Sequence, residues 1–109
     1  MEHRLRPKQI IRPHIASAKK QLEVRVCDEK RKRILVGHTL IFDFGDQEYR
    51  RRVVGIRIYP SFAAMLEEVD VERIMPGWDK QQVLRGLRTI YTKEKERLGV
   101  YVFELETIP

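Results

Sequence analysis

Apolar and polar residues alternate along much of this chain, and this pattern is typical of half-buried strands. In the segment 22–27, Leu22, Val24 and Val26 share one face, while Glu23 and Arg25 point to the other. Other runs rich in β-branched and aromatic residues are bounded by turn residues. The pattern therefore predicts four strands, at residues 22–27, 39–44, 48–59 and 100–106.

Three further segments repeat apolar residues at helical spacing. Pro13 suits the first turn of a short helix over 13–19. Ser61 can cap a second short helix, and Asp79 with Gln82 three residues later forms the capping pair of a third, longer helix. The order of helix, three strands, two helices and strand predicts an α+β protein, in which two to three short helices pack on a small curved or closed sheet.

Length and composition predict one domain, residues 1–109, whose first 14 residues form a basic N-terminal segment. With 109 residues, 42% of them hydrophobic, the chain can bury one modest core. Cys27 is the only cysteine and cannot form an internal disulfide, which favours a reducing compartment. No apolar run reaches the roughly 20 residues that span a bilayer, and the N-terminus lacks the apolar core of a secretory signal. We expect a soluble, cytoplasmic protein without a membrane partner.

Positive charge is concentrated in the first half of the sequence. The chain carries +6 overall, but residues 1–57 hold 15 Lys or Arg against 7 Asp or Glu, whereas residues 58–109 hold 7 against 9. A segregated positive charge attracts polyanions, and phosphate contacts of this kind are independent of sequence. Charge placement therefore favours a nucleic acid or nucleotide as partner, although charge runs also occur as the solvated faces of stable proteins.

Several chemistries find no support in the sequence. His3, His14 and His38 are scattered and have no Cys or carboxylate at the spacing of metal ligands. There is no glycine-rich phosphate loop, and neither Ser17 nor Ser61 has a paired histidine for nucleophilic work. We expect neither a metal nor a cofactor.

Lys20, Glu23 and Arg25 are the strongest candidates for a functional site, because an acid and two bases cluster where a strand begins. If the strand is extended, Glu23 and Arg25 lie on the same face, two residues apart. One interpretation is an ordinary surface ion pair, which contributes little to stability. The other is a charged binding site beside the basic half of the chain.

The same residues resemble the hallmark of the ASCH family, which is a glycine, a lysine two residues on, then a glutamate and an arginine. Here the positions hold Ala18, Lys20, Glu23 and Arg25, so alanine replaces the usual glycine. Alanine adopts a positive φ less readily than glycine, so the turn before Lys20 could differ in shape. Further agreement lies in residues 36–42, 58–62, 75–77 and 99–103.

The resemblance implies a PUA-like small β-barrel with a cleft that binds RNA or a nucleotide. Arg25 would hold a phosphate or a carbonyl, and Lys20 would act as a mobile charge. Glu23 would either orient the two bases or meet a hydrogen-bond donor of the ligand. The predicted binding residues are Lys19, Lys20, Glu23, Arg25, Arg31, Arg33 and Tyr59, with Lys30 and Lys32 on the same basic surface.

Two of these assignments have alternatives. Tyr59 could stack on a base or belong to the core. The arginines at 50–52 are expected on a solvated strand edge rather than in the site, since edge strands often carry charge.

The hypothesis of an RNA-binding cleft predicts that Lys20→Ala and Arg25→Ala weaken RNA binding without unfolding the protein.

Some small members of the ASCH family resemble amidohydrolases that deacylate 4-acetylcytidine with a lysine, a threonine and a glutamate. Lys20 falls on that lysine and could serve as a base if its pKa were lowered by burial. Glu23 stands where the threonine would be, and either Glu72 or Asp79 could supply the remaining carboxylate. An enzyme with Lys20 and Glu23 in its catalytic site is therefore the alternative function.

A third class of function is a protein-interaction domain that uses the acidic residues 67–72. It has no specific support, and any protein partner is unknown.

Overall fold

Five strands form a single curved, mixed sheet in the computed structural model, which describes residues 1–109. Their order across the sheet is β1-β3-β4-β5-β2, so β1 and β2 are the two edges. Only the pairing of β1 with β3 is parallel. The strands are β1 Glu2–Leu5, β2 Leu22–Val26, β3 Thr39–Asp43, β4 Glu48–Tyr59 and β5 Val100–Thr107. This half-barrel confirms the predicted α+β class of a PUA-like small barrel.

The helical segments are short and more numerous than the sequence predicted. They are α1 Arg12–Ala16, α2 Phe62–Glu68, α3 Val71–Ile74, α4 Lys80–Ile90 and α5 Lys93–Glu96, with 3-10 turns at Gln9–Ile11 and Arg31–Arg33. Helix α4 begins with the predicted capping box, in which Asp79 and Gln82 bond each other's backbone. The four-residue helices α3 and α5 were missed, because one turn is too short to show a periodic pattern.

The first strand was also missed, for a different reason. In β1 only Leu5 is buried, so the strand shows no apolar alternation. Its partner is distant in sequence, since Glu2 pairs with Thr39 and Leu5 with Phe42. The strand therefore depends on a long-range pairing that local pattern does not reveal. It leads into residues 6–11, which we call the N-terminal strap.

Two groups of buried residues lie on opposite faces of β5. Val100 and Val102 join the larger cluster, which packs under α2, α3 and α4, whereas Phe103 and Leu105 join the smaller cluster beneath β1 and α1. No helix in the structure has the length and apolar character needed to pass through a membrane.

Arg51 departs from the prediction of a solvated edge, because β4 is the central strand of the sheet. The residue is 9% exposed, and its side chain has no carboxylate partner. The guanidinium instead donates to the carbonyl of Arg50 at 2.8 Å and to the carbonyl of Ile15 in α1. Arg51 therefore attaches α1 to the sheet, while Arg50 and Arg52 are exposed.

Candidate functional site

A left-handed turn after α1 directs Lys20 into the interior. Ala18 has φ of 60° and is the only residue other than glycine with a positive φ. Its N–H donates to the carbonyl of Ile15 at 3.0 Å, and the N–H of Lys20 returns to the carbonyl of His14 at 3.0 Å. The helix thus ends in the type of turn that usually carries glycine. Alanine adopts the same conformation here, at some cost in backbone energy.

The ammonium of Lys20 is enclosed by three protein oxygens. Nζ donates to the carbonyls of Leu22 at 2.7 Å and Ile74 at 2.8 Å, and it lies 3.2 Å from Oε1 of Glu23. Ile74 is the last residue of α3, so the lysine caps the C-terminal end of that helix. Lys20 is 5% exposed. Its three N–H groups therefore have three internal acceptors and tie β2 to α3.

Glu23 bridges the two cations with its two oxygens. Oε1 faces Lys20, while Oε2 accepts from Nε of Arg25 at 2.9 Å and lies 2.7 Å from Nη2. Burial alone would raise the pKa of Glu23, but the charges of Lys20 and Arg25 outweigh that effect and lower it. Glu23 is therefore ionised and contacts both cations. The expected surface ion pair is instead a buried network of three charges.

The same geometry bears on Lys20 as a base. Burial lowers the pKa of Lys20 below its ordinary value, although the charge of Glu23 opposes this change. A neutral amine would have only two N–H donors for three acceptors, so the hydrogen bonds favour the ammonium form. To accept a proton from a substrate, Lys20 would have to give up one of these internal partners.

A cleft of about 440 Å³ opens above this network, beside the edge strand β2. One wall is the N-terminal strap and another is α4, with the segment between α3 and α4 closing a third side. Most of the wall is apolar, and Ile10 and Ile90 at the rim are 54% and 52% exposed. The apolar side chains that line the cleft include Ile10, Ile11, Val24, Ile74, Met75, Trp78, Val83, Leu87 and Ile90. The walls of the cleft are therefore mostly apolar, and its floor is formed by the charged network of Lys20, Glu23 and Arg25.

Arg25 lines the cleft and has N–H donors that its bonds to Glu23 do not use. Its side chain is 18% exposed, against 4% for Lys20 and 5% for Glu23. Burial would lower the pKa of Arg25, but Glu23 and the neighbouring Tyr91 raise it, so the group is a permanent cation. Burial also raises the pKa of Tyr91, against the opposing effect of Arg25, and keeps its hydroxyl protonated. Arg25 and Tyr91 thus present hydrogen-bonding groups at the cleft floor.

The other predicted binding residues are placed differently. Arg31 is half-buried and does not line the cleft. Lys19 and Arg33 are exposed and do not line the cleft. Tyr59 is 7% exposed and belongs to the larger core cluster, so the core alternative describes it, and it offers no platform for stacking.

Sequence reasoning did not assign Trp78, Tyr91 or the strap residues Arg6 and Lys8 to the site, yet all four line the cleft. Tyr91 comes directly after α4 and continues its apolar stripe, and such a stripe indicates core packing as readily as a binding site. The strap has no regular pattern, and its position depends on the pairing of β1 with β3.

Comparison with solved structures identifies two proteins of the same fold and related sequence. The chain is 34% identical to the hypothetical protein PH0355, a crystal structure, with a TM-score of 0.88, covering 99% of this chain and 100% of that one. It is also 34% identical to protein PF0455 from Pyrococcus furiosus, determined by solution NMR, with a TM-score of 0.78 and coverage of 97% and 96%. This small α+β protein therefore belongs to the same family as PH0355 and PF0455. No family model and no curated protein matches the sequence.

Proposed function

We propose that the protein binds RNA or a nucleotide in the cleft, as a domain of the ASCH type. The proposal is supported mainly by the difference in exposure among the three charged residues of the network. Lys20 and Glu23 are satisfied internally, whereas the side chain of Arg25 is 18% exposed and lines the cleft below apolar walls.

The chemistry of the cleft suits a nucleobase. A volume of about 440 Å³ lies within the roughly 300–1,000 Å³ typical of small-molecule sites. Trp78 and the isoleucines at the rim can cover the faces of a flat heterocycle. At the floor, Arg25 and Tyr91 can hydrogen-bond its edge, since a guanidinium donates and a phenol both donates and accepts. The strap residues Arg6 and Lys8 add cations at the wall for the attached phosphates.

The distribution of charge supports a polyanionic ligand. The half of the sequence that supplies the strap, Lys20 and Arg25 has a net charge of +8, from 15 basic and 7 acidic residues. Such a surface accelerates the approach of nucleic acid and makes binding sensitive to salt.

Trp78 provides a direct test, because it is the only tryptophan of the chain and lines the cleft. Single-stranded RNA of mixed sequence is titrated into the protein at low salt, and Trp78 fluorescence is recorded together with the anisotropy of the labelled RNA. Binding in the cleft changes both signals, whereas binding elsewhere changes only the anisotropy.

The variant Arg25→Gln removes the exposed donor, and we expect it to weaken binding about tenfold or more, equivalent to about 1.4 kcal/mol. Arg97→Gln is the matched control, because Arg97 is exposed beyond α5 and lies outside the cleft. Thermal melts establish that both variants fold. Equal affinities for the two variants, or RNA binding that leaves Trp78 unaffected, would refute the proposal.

A further inference from the structure

Gly86 lies inside α4, on the face of the helix that lines the cleft. Val83, Leu87 and Ile90 line the cleft from the same helix, and Gly86 follows the first by three residues and precedes the last by four. The position therefore falls within the apolar stripe of α4, where a larger apolar side chain is the usual occupant. Glycine leaves the helix backbone uncovered at this point of the cleft wall.

Neither the backbone nor the packing of the protein requires glycine at this position. Gly86 has no positive φ, so an L-residue can adopt its conformation. A Cβ atom on Gly86 would lie 3.4 Å from Cζ3 of Trp78, and beyond its own helix backbone and chain neighbours it would meet no other atom within 4 Å. A methyl group there would therefore occupy space in the cleft rather than in the core.

Glycine is also a poor residue for the interior of a helix. Only proline is less favourable there, whereas alanine is the most favourable residue of all. The chain thus loses helix stability at a position where its own fold would accept alanine. Glycine is typical of places where the backbone is closely approached by a ligand, and Gly86 is open to the cleft.

We propose that Gly86 is a ligand-contact position, at which a nucleobase lies directly against the backbone of α4 beside the ring of Trp78. This inference rests on the proposed function and extends it from the charged floor to the helical wall. Trp78 adjoins Gly86 through its six-membered ring, so the indole and the uncovered helix form one corner of the cleft. A planar heterocycle suits this corner, because it can approach the backbone with its whole face.

The variant Gly86→Ala tests the proposal, because we expect its two effects to have opposite signs. The higher helix propensity of alanine should raise Tm by about 3–6 °C. The added methyl group should hold the base away from the helix and weaken RNA binding about tenfold or more. A glycine that served only the packing of the fold would not give this combination.

Affinity is measured from the anisotropy of labelled single-stranded RNA of mixed sequence at low salt, because Gly86→Ala alters the surroundings of Trp78 and hence its fluorescence. Gln81→Ala is the matched control, since Gln81 is an exposed residue of α4 that lies outside the cleft. It should bind RNA as the unmodified protein does. Gly86→Leu, which introduces a larger helix-forming residue, should bind more weakly than Gly86→Ala.

The outcomes separate this inference from the proposed function. If RNA changes Trp78 fluorescence in the unmodified protein but Gly86→Ala binds as tightly as Gln81→Ala, the inference is refuted and the RNA-binding cleft stands. A lower Tm for Gly86→Ala would also overturn it, because the fold itself would then need glycine. If RNA leaves Trp78 of the unmodified protein unaffected, both proposals fail.

Discussion

Replacing Lys20 with methionine tests whether the charged network supports the fold as well as the cleft. The substitution keeps an unbranched apolar stem but removes the ammonium. The carbonyls of Leu22 and Ile74 then lose their donor, and Glu23 keeps only Arg25 as a counter-ion. This consequence differs from the sequence-based expectation that a Lys20 variant would fold normally and only bind more weakly.

The expected loss follows from burial. Removing one partner of a buried ion pair costs about 3–5 kcal/mol, and Lys20 and Glu23 are 5% and 4% exposed. The lost hydrogen bonds give a similar destabilisation. Each buried acceptor left without a donor costs about 1–3 kcal/mol, and two carbonyls are affected. For a chain of this length we expect Lys20→Met to lower Tm by about 12–25 °C. Such a loss is a large part of the roughly 5–15 kcal/mol that stabilises a typical domain.

Urea unfolding followed by circular dichroism measures the effect. The control is Lys19→Met, since Lys19 is adjacent and exposed and should change stability by no more than about 0.5 kcal/mol. The double variant Lys20→Met/Glu23→Gln should lose less than the sum of its single changes, with a coupling of about 1–3 kcal/mol. If Lys20→Met remains within about 1 kcal/mol of the control, the internal hydrogen bonds of Lys20 do not support the fold and the reasoning is refuted.

Three further predictions concern the same region. Ala18→Gly should raise stability by about 0.5–1 kcal/mol, because relief of the left-handed strain exceeds the added freedom of the unfolded chain; an unchanged or lower Tm would contradict this. The folded-state pKa of Glu23 is lowered, so its stabilisation is present above the unfolded pKa of about 4.3 and is lost as pH falls through the folded pKa. Glu23→Gln should therefore flatten the acid limb of a stability-against-pH curve, and a curve of unchanged slope would count against it. Incubation with 4-acetylcytidine, followed by chromatography, should yield no cytidine, because Lys20 is engaged by three internal acceptors; product that disappears in Lys20→Met but persists in Lys19→Met would favour the amidohydrolase alternative.

Local pattern was enough for most of the fold. Alternation located β2, β3, β4 and β5, and capping residues marked the starts of α2 and α4. It failed where an element was too short to be periodic or depended on a distant partner, as in the pairing of His3 with Leu40. Helix α1 also ends at Ala16 rather than at the predicted residue 19, because the chain turns left-handed at Ala18.

The candidate site shows the same limit. The sequence placed Glu23 and Arg25 on one face of a strand, and the structure confirms that division of faces. It did not reveal that this polar face is buried, because α4 and the strap, which cover it, come from elsewhere in the chain. Burial turns an exposed ion pair of little consequence into a network that costs much to disrupt.

The strap gives the cleft a wall that depends on one short strand. β1 has four residues, lies at the edge of the sheet and pairs only with β3. Such an element opens at a lower free energy than the central strands, so its amides should exchange with deuterium through local rather than global unfolding. A ligand that contacts the strap would slow that exchange in β1, at a distance from the bound atoms. The affinity of the cleft for its ligand would then depend partly on how often β1 separates from β3.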